Sequence, residues 1–313
     1  MARRLSSFTP RSILCAVDFS AQSATALRHA AALTRRSRGR ITVLFVNDPL
    51  LDTAAAAAAY DTRALARATL RELRSFVQRS LPSSGSPSMR YLVALGKPAR
   101  EILKTAARLR SDLVVVGTEG LGGASKLFFG STTEQLLRLA NTPVLAVPTS
   151  GRPRAKTPAR DWPGTCLVAP NDLGNAADAD AAQAGAVARA FGADLILVHV
   201  IPRVQRPPWS RADLDAHYRT AIATAQAGLD ALRSTVGDDV ATECRVVVGH
   251  PADEIAALAT ARRTGLVVLT LRGRGGLLGS RPGAIAYHVL MHRVSPVLAL
   301  PPRRRARSRA RAV

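Results

Sequence analysis

The sequence is poor in aromatic residues and in cysteine. Phe, Trp and Tyr together make up 4% of its 313 residues, so a hydrophobic core must be built from Val, Leu, Ile and Ala. The three cysteines, Cys15, Cys166 and Cys244, are scattered and form no C-x-x-C pair, so they indicate no disulfide framework. Cys15 and Cys166 each fall inside a predicted buried strand, where we expect small core residues.

Long apolar runs are also missing. No segment approaches the roughly 20 consecutive apolar residues that a membrane-spanning helix needs, and the basic N-terminus has no apolar stretch typical of a signal peptide. We therefore expect no membrane partner and a cytoplasmic location. Because 47% of the residues are hydrophobic, a chain of this length is expected to fold into two domains of ordinary size.

Acidic residues are outnumbered, which leaves a formal net charge of +22. Such a charge suggests nucleic acid as a partner. Part of it, however, lies in a run without apolar periodicity at residues 303–313, which we expect to be a disordered tail. Basic and aromatic residues are not interleaved as in surfaces that stack single-stranded bases. Specific nucleic-acid recognition is therefore disfavoured, and weak, salt-sensitive adhesion of the tail to polyanions is favoured over it.

One stretch, residues 113–148, combines a strand, a glycine-rich loop and a helix. The apolar run Leu113–Val116 predicts a buried strand, and Gly117, Gly120, Gly130 and Ser131 follow it in the spacing G-x2-G-x9-G-S. A helix is expected to start here, with a hydroxyl residue as N-cap and Glu134 completing a capping box. Glycines with positive φ and free N–H groups at a helix start suit phosphate oxygens. The alternative is a glycine-rich turn that binds nothing.

The rest of the chain predicts an α/β fold. Strands are expected at Ser12–Val17, Ile41–Val46 and Met89–Leu95, and a long helical region at Thr53–Ser80. Alternation of strands and helices predicts a five-stranded, mostly parallel, Rossmann-like sheet with helices on both faces. Polar or glycine residues follow three of these strands, and ligands in such folds bind at the carboxyl ends of strands. They are Asp18, Asn47 and Gly117.

The pattern then repeats, which predicts two tandem copies of one domain. We expect domain 1 at residues 1–148, a Pro-, Gly- and Arg-rich linker at 149–163, domain 2 at 164–302 and the basic tail at 303–313. In this alignment residues 166–169 correspond to residues 15–18. Asp172 then replaces Asp18 only if residues 169–171 are looped out.

The second copy has lost part of the glycine pattern. Thr270 stands where the first copy has Gly117, and Ala284 and Ile285 replace Ser131 and Thr132. The second helix start therefore lacks both hydroxyl donors. We expect one competent anion site, in the first copy.

On these residues the chain resembles the ATP-binding branch of the universal stress protein family. The resemblance implies ATP as the ligand, with Mg²⁺ bound through the phosphates, and an adenine nucleotide held in the first copy. The adenosine end would lie against Asp18, Val46 and Asn47. The phosphates would lie against Gly117, Gly120, Gly130, Ser131 and Thr132, with Lys126 in reach. Each of two residues has a structural alternative to ligand binding. Asp18 would cap the next helix, and Lys126 would be a solvated surface side chain.

The resemblance further implies that the last strands of the two copies, near Val144–Val147 and Val297–Leu300, pair within one chain. It leaves open a further association of two chains into a homodimer. Three functions stay open: an ATP-binding stress-response regulator acting on an unknown protein partner, an interaction module that binds no nucleotide, and a slow ATPase. No P-loop or G-x-G-x-x-G motif is present, and His288 and His292 lack the glutamate of a zincin. No catalytic residue and no protein metal site can therefore be nominated.

Overall fold

The computed structural model describes residues 8–47, 62–81, 87–118, 130–148, 162–204, 214–271 and 284–302. Five expectations lie wholly or partly outside the described residues. They concern residues 53–61 of the expected helical region, Gly120, Lys126, the linker up to residue 161 and the basic tail.

Each repeat is a βαβαβαβαβ unit, as the alternating pattern predicts. The first repeat comprises β1 (Ser12–Val17), α1 (Ala21–Ser37), β2 (Arg40–Asn47), α2 (Thr62–Ser80), β3 (Met89–Leu95), α3 (Pro98–Leu109), β4 (Leu113–Gly117), α4 (Ser131–Leu139) and β5 (Val144–Val147). The second comprises β6 (Cys166–Pro170), α5 (Ala177–Phe191), β7 (Asp194–Pro202), α6 (Leu214–Val236), β8 (Thr242–Gly249), α7 (Pro251–Ala261), β9 (Val267–Thr270), α8 (Ala284–Met291) and β10 (Val297–Leu300).

All ten strands form one sheet, in the order β3-β2-β1-β4-β5-β10-β9-β6-β7-β8. Neighbouring strands are parallel within each repeat. At the centre β5 and β10 pair antiparallel, with Leu298 opposite Leu145. The two repeats therefore pair through their last strands, as the family resemblance implies, and their strands point in opposite directions.

Helices cover both faces of this sheet. Buried residues of α1, α2, α5 and α6, such as Leu27 and Leu73, pack on one face, and those of α3, α4, α7 and α8, such as Ile102 and Leu136, pack on the other. Both layers are aliphatic, as the scarcity of aromatic residues requires. Each layer continues across the β5–β10 seam, because each includes residues of both repeats.

The strand register corrects the expected alignment of the repeats. Ser12 and Cys166 pair with the first residues of β2 and β7, respectively, so Cys166 corresponds to Ser12 and not to Cys15. Asp172 therefore aligns with Asp18 with nothing looped out. Because Cys166 stands at the start of its strand, it is partly exposed, and its assignment to the core was wrong.

Backbone geometry supports the corrected alignment. Asp18 and Asp172 are each followed by a residue in the left-handed region, Phe19 with φ 64° and Leu173 with φ 56°. The same turn thus leads from the first strand into the first helix in both repeats.

Candidate functional site

The carboxyl ends of β1, β2 and β4 meet at one edge of the sheet. In the first repeat β1 lies between β2 and β4, and the chain runs outward to β2 and β3 before crossing back to β4. Such a reversal of strand order opens a crevice between the two central strands, where ligands of α/β sheets bind. Asp18 directly follows β1, Val46 and Asn47 end β2, and Gly117 ends β4. The topology therefore brings these four predicted residues to one crevice.

Asp18 is held in place by the turn that starts α1. Its Oδ1 accepts a hydrogen bond from the Ser20 backbone N–H, at 3.1 Å, and another from the Ser20 hydroxyl. Ser20 is in turn the N-cap of α1, because its Oγ accepts from the Ser23 N–H at 3.1 Å. Asp18 thus supports the cap, which was its alternative role, and its carboxylate is fixed and partly buried at the crevice.

Val46 and Asn47 are both partly buried at the end of β2. The Asn47 carbonyl accepts the Gly96 N–H at 3.1 Å, which ties the end of β2 to the end of β3. Val46 packs against the core layer of α3 and α4.

Close packing explains why a glycine occupies position 117. A Cβ at this position would lie 3.1 Å from the backbone carbonyl carbon of Gln22 and 3.3 Å from its oxygen, so a side chain would collide with the first turn of α1. The positive φ expected of the site glycines is wrong for Gly117 and Gly130. Gly117 therefore lets α1 approach β4, and this close contact places the Asp18 turn beside the end of β4.

Gly130, and not a hydroxyl residue, is the N-cap of α4. Its φ is −61° and no side chain caps the helix, so the expected capping box is wrong. The Gly130 N–H donates instead to the Thr118 carbonyl at 2.8 Å. Glu134 lies one residue too late to reach back to the cap, and its carboxylate is 3.9 Å from Arg138.

Ser131 and Thr132 are consequently the first two residues of α4. Ser131 is exposed and Thr132 is partly buried. The first N–H groups of an α-helix have no acceptor within the helix and carry its partial positive charge. Two hydroxyls and these N–H groups thus form a donor set at the start of α4 that matches phosphate oxygens.

Two threonines near the loop were missed by the sequence reading. Thr133 Oγ1 donates to the Gly117 carbonyl at 2.8 Å, which links the start of α4 to the end of β4. Thr118 is 1% exposed, and its Oγ1 has no hydrogen-bond partner in the described part of the chain. A buried hydroxyl without a partner is costly, so Thr118 marks a place where a polar ligand atom fits. The run of three hydroxyl residues from Ser131 to Thr133 was the only sequence signal for Thr133.

A metal ion has no evident protein ligand set here. Within the described ranges no group of three or more His, Cys, Asp or Glu side chains is placed to hold one. The donors at the start of α4 are suited to anions.

The second repeat retains the acidic turn after its first strand and lacks the glycine and hydroxyl residues found at the end of β4 and the start of α4. Asp172 Oδ1 accepts the Gly174 N–H at 2.8 Å, as Asp18 accepts that of Ser20. At the other end Thr270 replaces Gly117, the buried Leu271 replaces Thr118, and α8 starts with Ala284. The divergence of the two repeats is not confined to this end, because the corrected alignment also places the buried Ile201 at the position of Asn47.

Comparison with known proteins settles the family. The model of the universal stress protein family matches residues 10–148 and again residues 167–301. The chain belongs to the universal stress protein family.

The chain is also similar to individual relatives and solved structures. A universal stress protein of Mycolicibacterium smegmatis is 28% identical over 309 residues, which cover 95% of this chain and 99% of the relative. A solved structure of a functionally unknown protein from Pseudomonas aeruginosa has a TM-score of 0.62 at 19% identity, and the match covers 96% of this chain and 95% of that one. A universal stress protein solved in complex with cAMP matches 45% of this chain and 99% of its own, at 22% identity and a TM-score of 0.34.

Among the described helices of this family member, none is both long enough and apolar enough to cross a bilayer.

Proposed function

We propose that the chain is a stress-response regulator that binds ATP, together with Mg²⁺, in its first repeat. The observation that carries the proposal is the crevice between β1 and β4, where a fixed carboxylate and a donor-rich helix start lie at the same edge of the sheet. The second repeat retains the carboxylate turn without the hydroxyls. This contrast favours a single nucleotide site in the first repeat.

Each end of the crevice has a role in the proposal. Asp18 accepts a hydrogen bond from the adenine amine or a ribose hydroxyl, and Val46 and Asn47 border the base. The phosphates lie at Gly130, Ser131, Thr132 and the N–H groups that begin α4, and the buried Thr118 hydroxyl adds one donor. Gly117 acts indirectly, by allowing α1 to lie against β4. Mg²⁺ is held through the phosphates.

We infer regulation in preference to catalysis. Of the described carboxylates near the crevice, Asp18 is engaged at Oδ1 by Ser20, and Glu134 faces Arg138. Neither is placed as a free general base that activates water. The bound nucleotide would instead alter the surface that the crevice shows to a protein partner.

The test is a calorimetric titration of protein freed of bound nucleotide, with ATP and magnesium. Two matched variants, Asp18→Asn and Asp172→Asn, remove the charge from equivalent turns in the two repeats. We expect one equivalent of ATP to bind to wild type and to the Asp172→Asn variant. The Asp18→Asn variant should bind about 10- to 100-fold more weakly, because a hydrogen bond to a charged group contributes about 1.5–3 kcal/mol.

Equal loss in both variants, or two equivalents bound by wild type, would contradict a single site in the first repeat. No binding by folded wild type would leave the interaction module as the function. Titration with cAMP in competition with ATP measures the preference for the triphosphate, and release of inorganic phosphate from bound ATP measures any slow hydrolysis.

A further inference from the structure

The edge of the first repeat opposite the nucleotide crevice carries a cluster of exposed arginines. Arg11 precedes β1 and Arg40 begins β2, while the other members end the two helices that return to this edge, α1 and α3. We call this surface the arginine edge, and it comprises Arg11, Arg35, Arg38, Arg40, Arg108 and Arg110. All six side chains are exposed.

These positions are neighbours in the fold. The Arg40 N–H donates to the Arg11 carbonyl at 2.8 Å, which joins the starts of β1 and β2. Gly39 makes this approach possible, because a Cβ there would lie 2.5 Å from the Arg11 carbonyl oxygen. On the other side the Asp112 N–H donates to the Ser12 carbonyl at 2.7 Å, which brings the end of α3 beside them.

Within the described part of the chain, ion pairs do not neutralise the charge of this surface. Among the described residues no ion pair involves any of the six guanidinium groups. The nearest carboxylate in these segments is Asp112, and its Oδ2 accepts the backbone N–H groups of Arg11 and Ser12, both at 3.0 Å. The cationic side chains are thus left to solvent or to a partner.

The fold itself does not require these arginines. By the strand register and the helix caps, the second repeat has Thr165 for Arg11, Gly192 for Arg38, Asp194 for Arg40 and Ala261 for Arg108. The second repeat keeps arginine at two of the six positions: Arg189, which is paired with Asp239, replaces Arg35, and the exposed Arg263 replaces Arg110. The same architecture is therefore built with four of the six arginines replaced.

Backbone conformation points the same way. Arg38 and Arg110 are the C-caps of α1 and α3, and both have φ 50°, where glycine is the favoured residue. The second repeat uses Gly192 at the position of Arg38, with φ 61°, but keeps an arginine, Arg263 with φ 49°, at the position of Arg110. Arginine in the last turn complements the helix dipole, which accounts for Arg35 and Arg108. That effect does not explain arginine on the strands or at the strained caps.

We propose that the arginine edge binds the phosphate backbone of double-stranded nucleic acid without reading its sequence. Guanidinium groups pair with phosphate oxygens in bidentate geometry, and backbone contacts of this kind carry non-specific binding. Of the large hydrophobic side chains exposed in the described residues, only Leu139, at the end of α4, lies at this edge, and a single such side chain does not form the apolar core of a protein interface or a membrane anchor. It also shows no exposed aromatic residue for stacking single-stranded bases. Sequence-specific recognition stays disfavoured.

The test measures binding of the full chain to a labelled DNA duplex by fluorescence anisotropy over a range of salt concentrations. A fourfold variant carries Arg38→Gly, Arg110→Gly, Arg40→Gln and Arg108→Gln. The glycines suit the left-handed caps, so this variant should unfold at the same temperature as wild type or higher. A control variant of equal charge carries Arg71→Gln, Arg100→Gln, Arg203→Gln and Arg219→Gln, all at exposed positions away from the edge.

We expect the slope of log Kd against log salt concentration to fall by about 0.9 for each phosphate contact removed. The slope should therefore fall by about three to four in the fourfold variant and change little in the control variant. Equal losses in the two variants would overturn the proposal, because net charge or the tail would then carry the binding. Absence of duplex binding by wild type at low salt would also overturn it. Tighter binding to vesicles of phosphatidylserine and phosphatidylcholine, lost in the fourfold variant, would assign the edge to a membrane surface instead.

Discussion

Single buried residues set how the first repeat responds to pH. His29 on α1 is 4% exposed, its Nδ1 lies 2.9 Å from the Thr25 carbonyl oxygen, and Trp162 meets its ring edge-on at 4.9 Å. The pKa of His29 is lowered to about 4. Burial is the largest cause; the contact with Thr25 raises the pKa and the neighbouring Arg28 lowers it. His29 is therefore neutral in the folded protein at pH 7.

Acid should destabilise the protein partly through His29. In the unfolded chain histidine titrates near 6.5, so its stabilising contribution is complete above that pH and is lost as the pH falls toward 4. A pKa difference of this size corresponds to about 3 kcal/mol in the free energy of unfolding. Denaturant unfolding of His29→Gln across this range should show a flatter pH dependence than wild type. The matched variant His217→Gln, at an exposed histidine, should keep the wild-type slope; a wild-type slope in His29→Gln would contradict the account.

The three cysteines should differ in reactivity. Cys15 is fully buried, and burial raises the pKa of its thiol to about 12. Cys166 and Cys244 are partly exposed, and burial raises their pKa values as well. Iodoacetamide at neutral pH, followed by mass spectrometry, should modify these two slowly and Cys15 only after unfolding, because the thiolate is the reactive form. Modification of Cys15 at the rate of the other two in native protein would be incompatible with its burial.

At the level of elements, the contact between α1 and β4 shapes the nucleotide crevice. The end of β4 and the first turn of α1 approach closely at Gly117 and Gln22. Thr133, from α4, bonds to the carbonyl of the same glycine at 2.8 Å. Three elements thus converge on one residue that the sequence pattern had assigned to direct phosphate contact.

Replacement of Gly117 should reduce stability before it affects any ligand. Gly117→Val places side-chain atoms against the Gln22 backbone, and overpacking of this kind costs about 1–3 kcal/mol in the free energy of unfolding. Thr270→Val is the matched control, because Thr270 occupies the same position in the second repeat and already carries a branched side chain. Denaturant unfolding should show the loss in the first variant alone. Equal stability of the two variants would mean that α1 does not rest on Gly117.

Much of the fold could be predicted from the sequence because local patterns encode it. The buried strands and the long helical region before β3 were visible in short windows, and so was the repeat. The role of Gly117 was not, because its contact at Gln22 is far away in the sequence. The predicted alignment of the repeats was wrong at Cys166 for a similar reason. Cys166 was aligned with Cys15 because both are cysteines, whereas the alignment is fixed by the pairing of β1 with β2 and of β6 with β7.

At the level of the whole molecule, the two repeats form one body. Beyond the pairing of β5 and β10, Arg36 on α1 donates to the Phe191 carbonyl at 2.7 Å and lies over its ring at 5.2 Å. Trp162, which precedes β6, donates from Nε1 to the Gly265 carbonyl at 3.0 Å while it contacts His29. The few aromatic residues of the chain are thus concentrated in part at the seam between the repeats.

Such a seam predicts cooperative unfolding. Because both core layers and the sheet continue from one repeat to the other, calorimetry and circular dichroism should show a single, coincident thermal transition. Leu298→Ala, at a residue 1% exposed in β10, should lower the free energy of unfolding of the entire chain by about 2–5 kcal/mol. Two separate transitions in wild type, with only the second repeat affected by the substitution, would show that the repeats fold independently.

The central claim, that nucleotide binds in the first repeat alone, is tested most directly by amide hydrogen exchange with and without ATP and magnesium. The account predicts slower exchange in peptides that contain the Asp18–Ser23 turn and the start of α4 at Ser131–Thr133. It predicts no change in the equivalent segments of the second repeat, at Asp172–Ala177 and at the start of α8. Protection in the second repeat, or unchanged exchange throughout at saturating ATP, would contradict it.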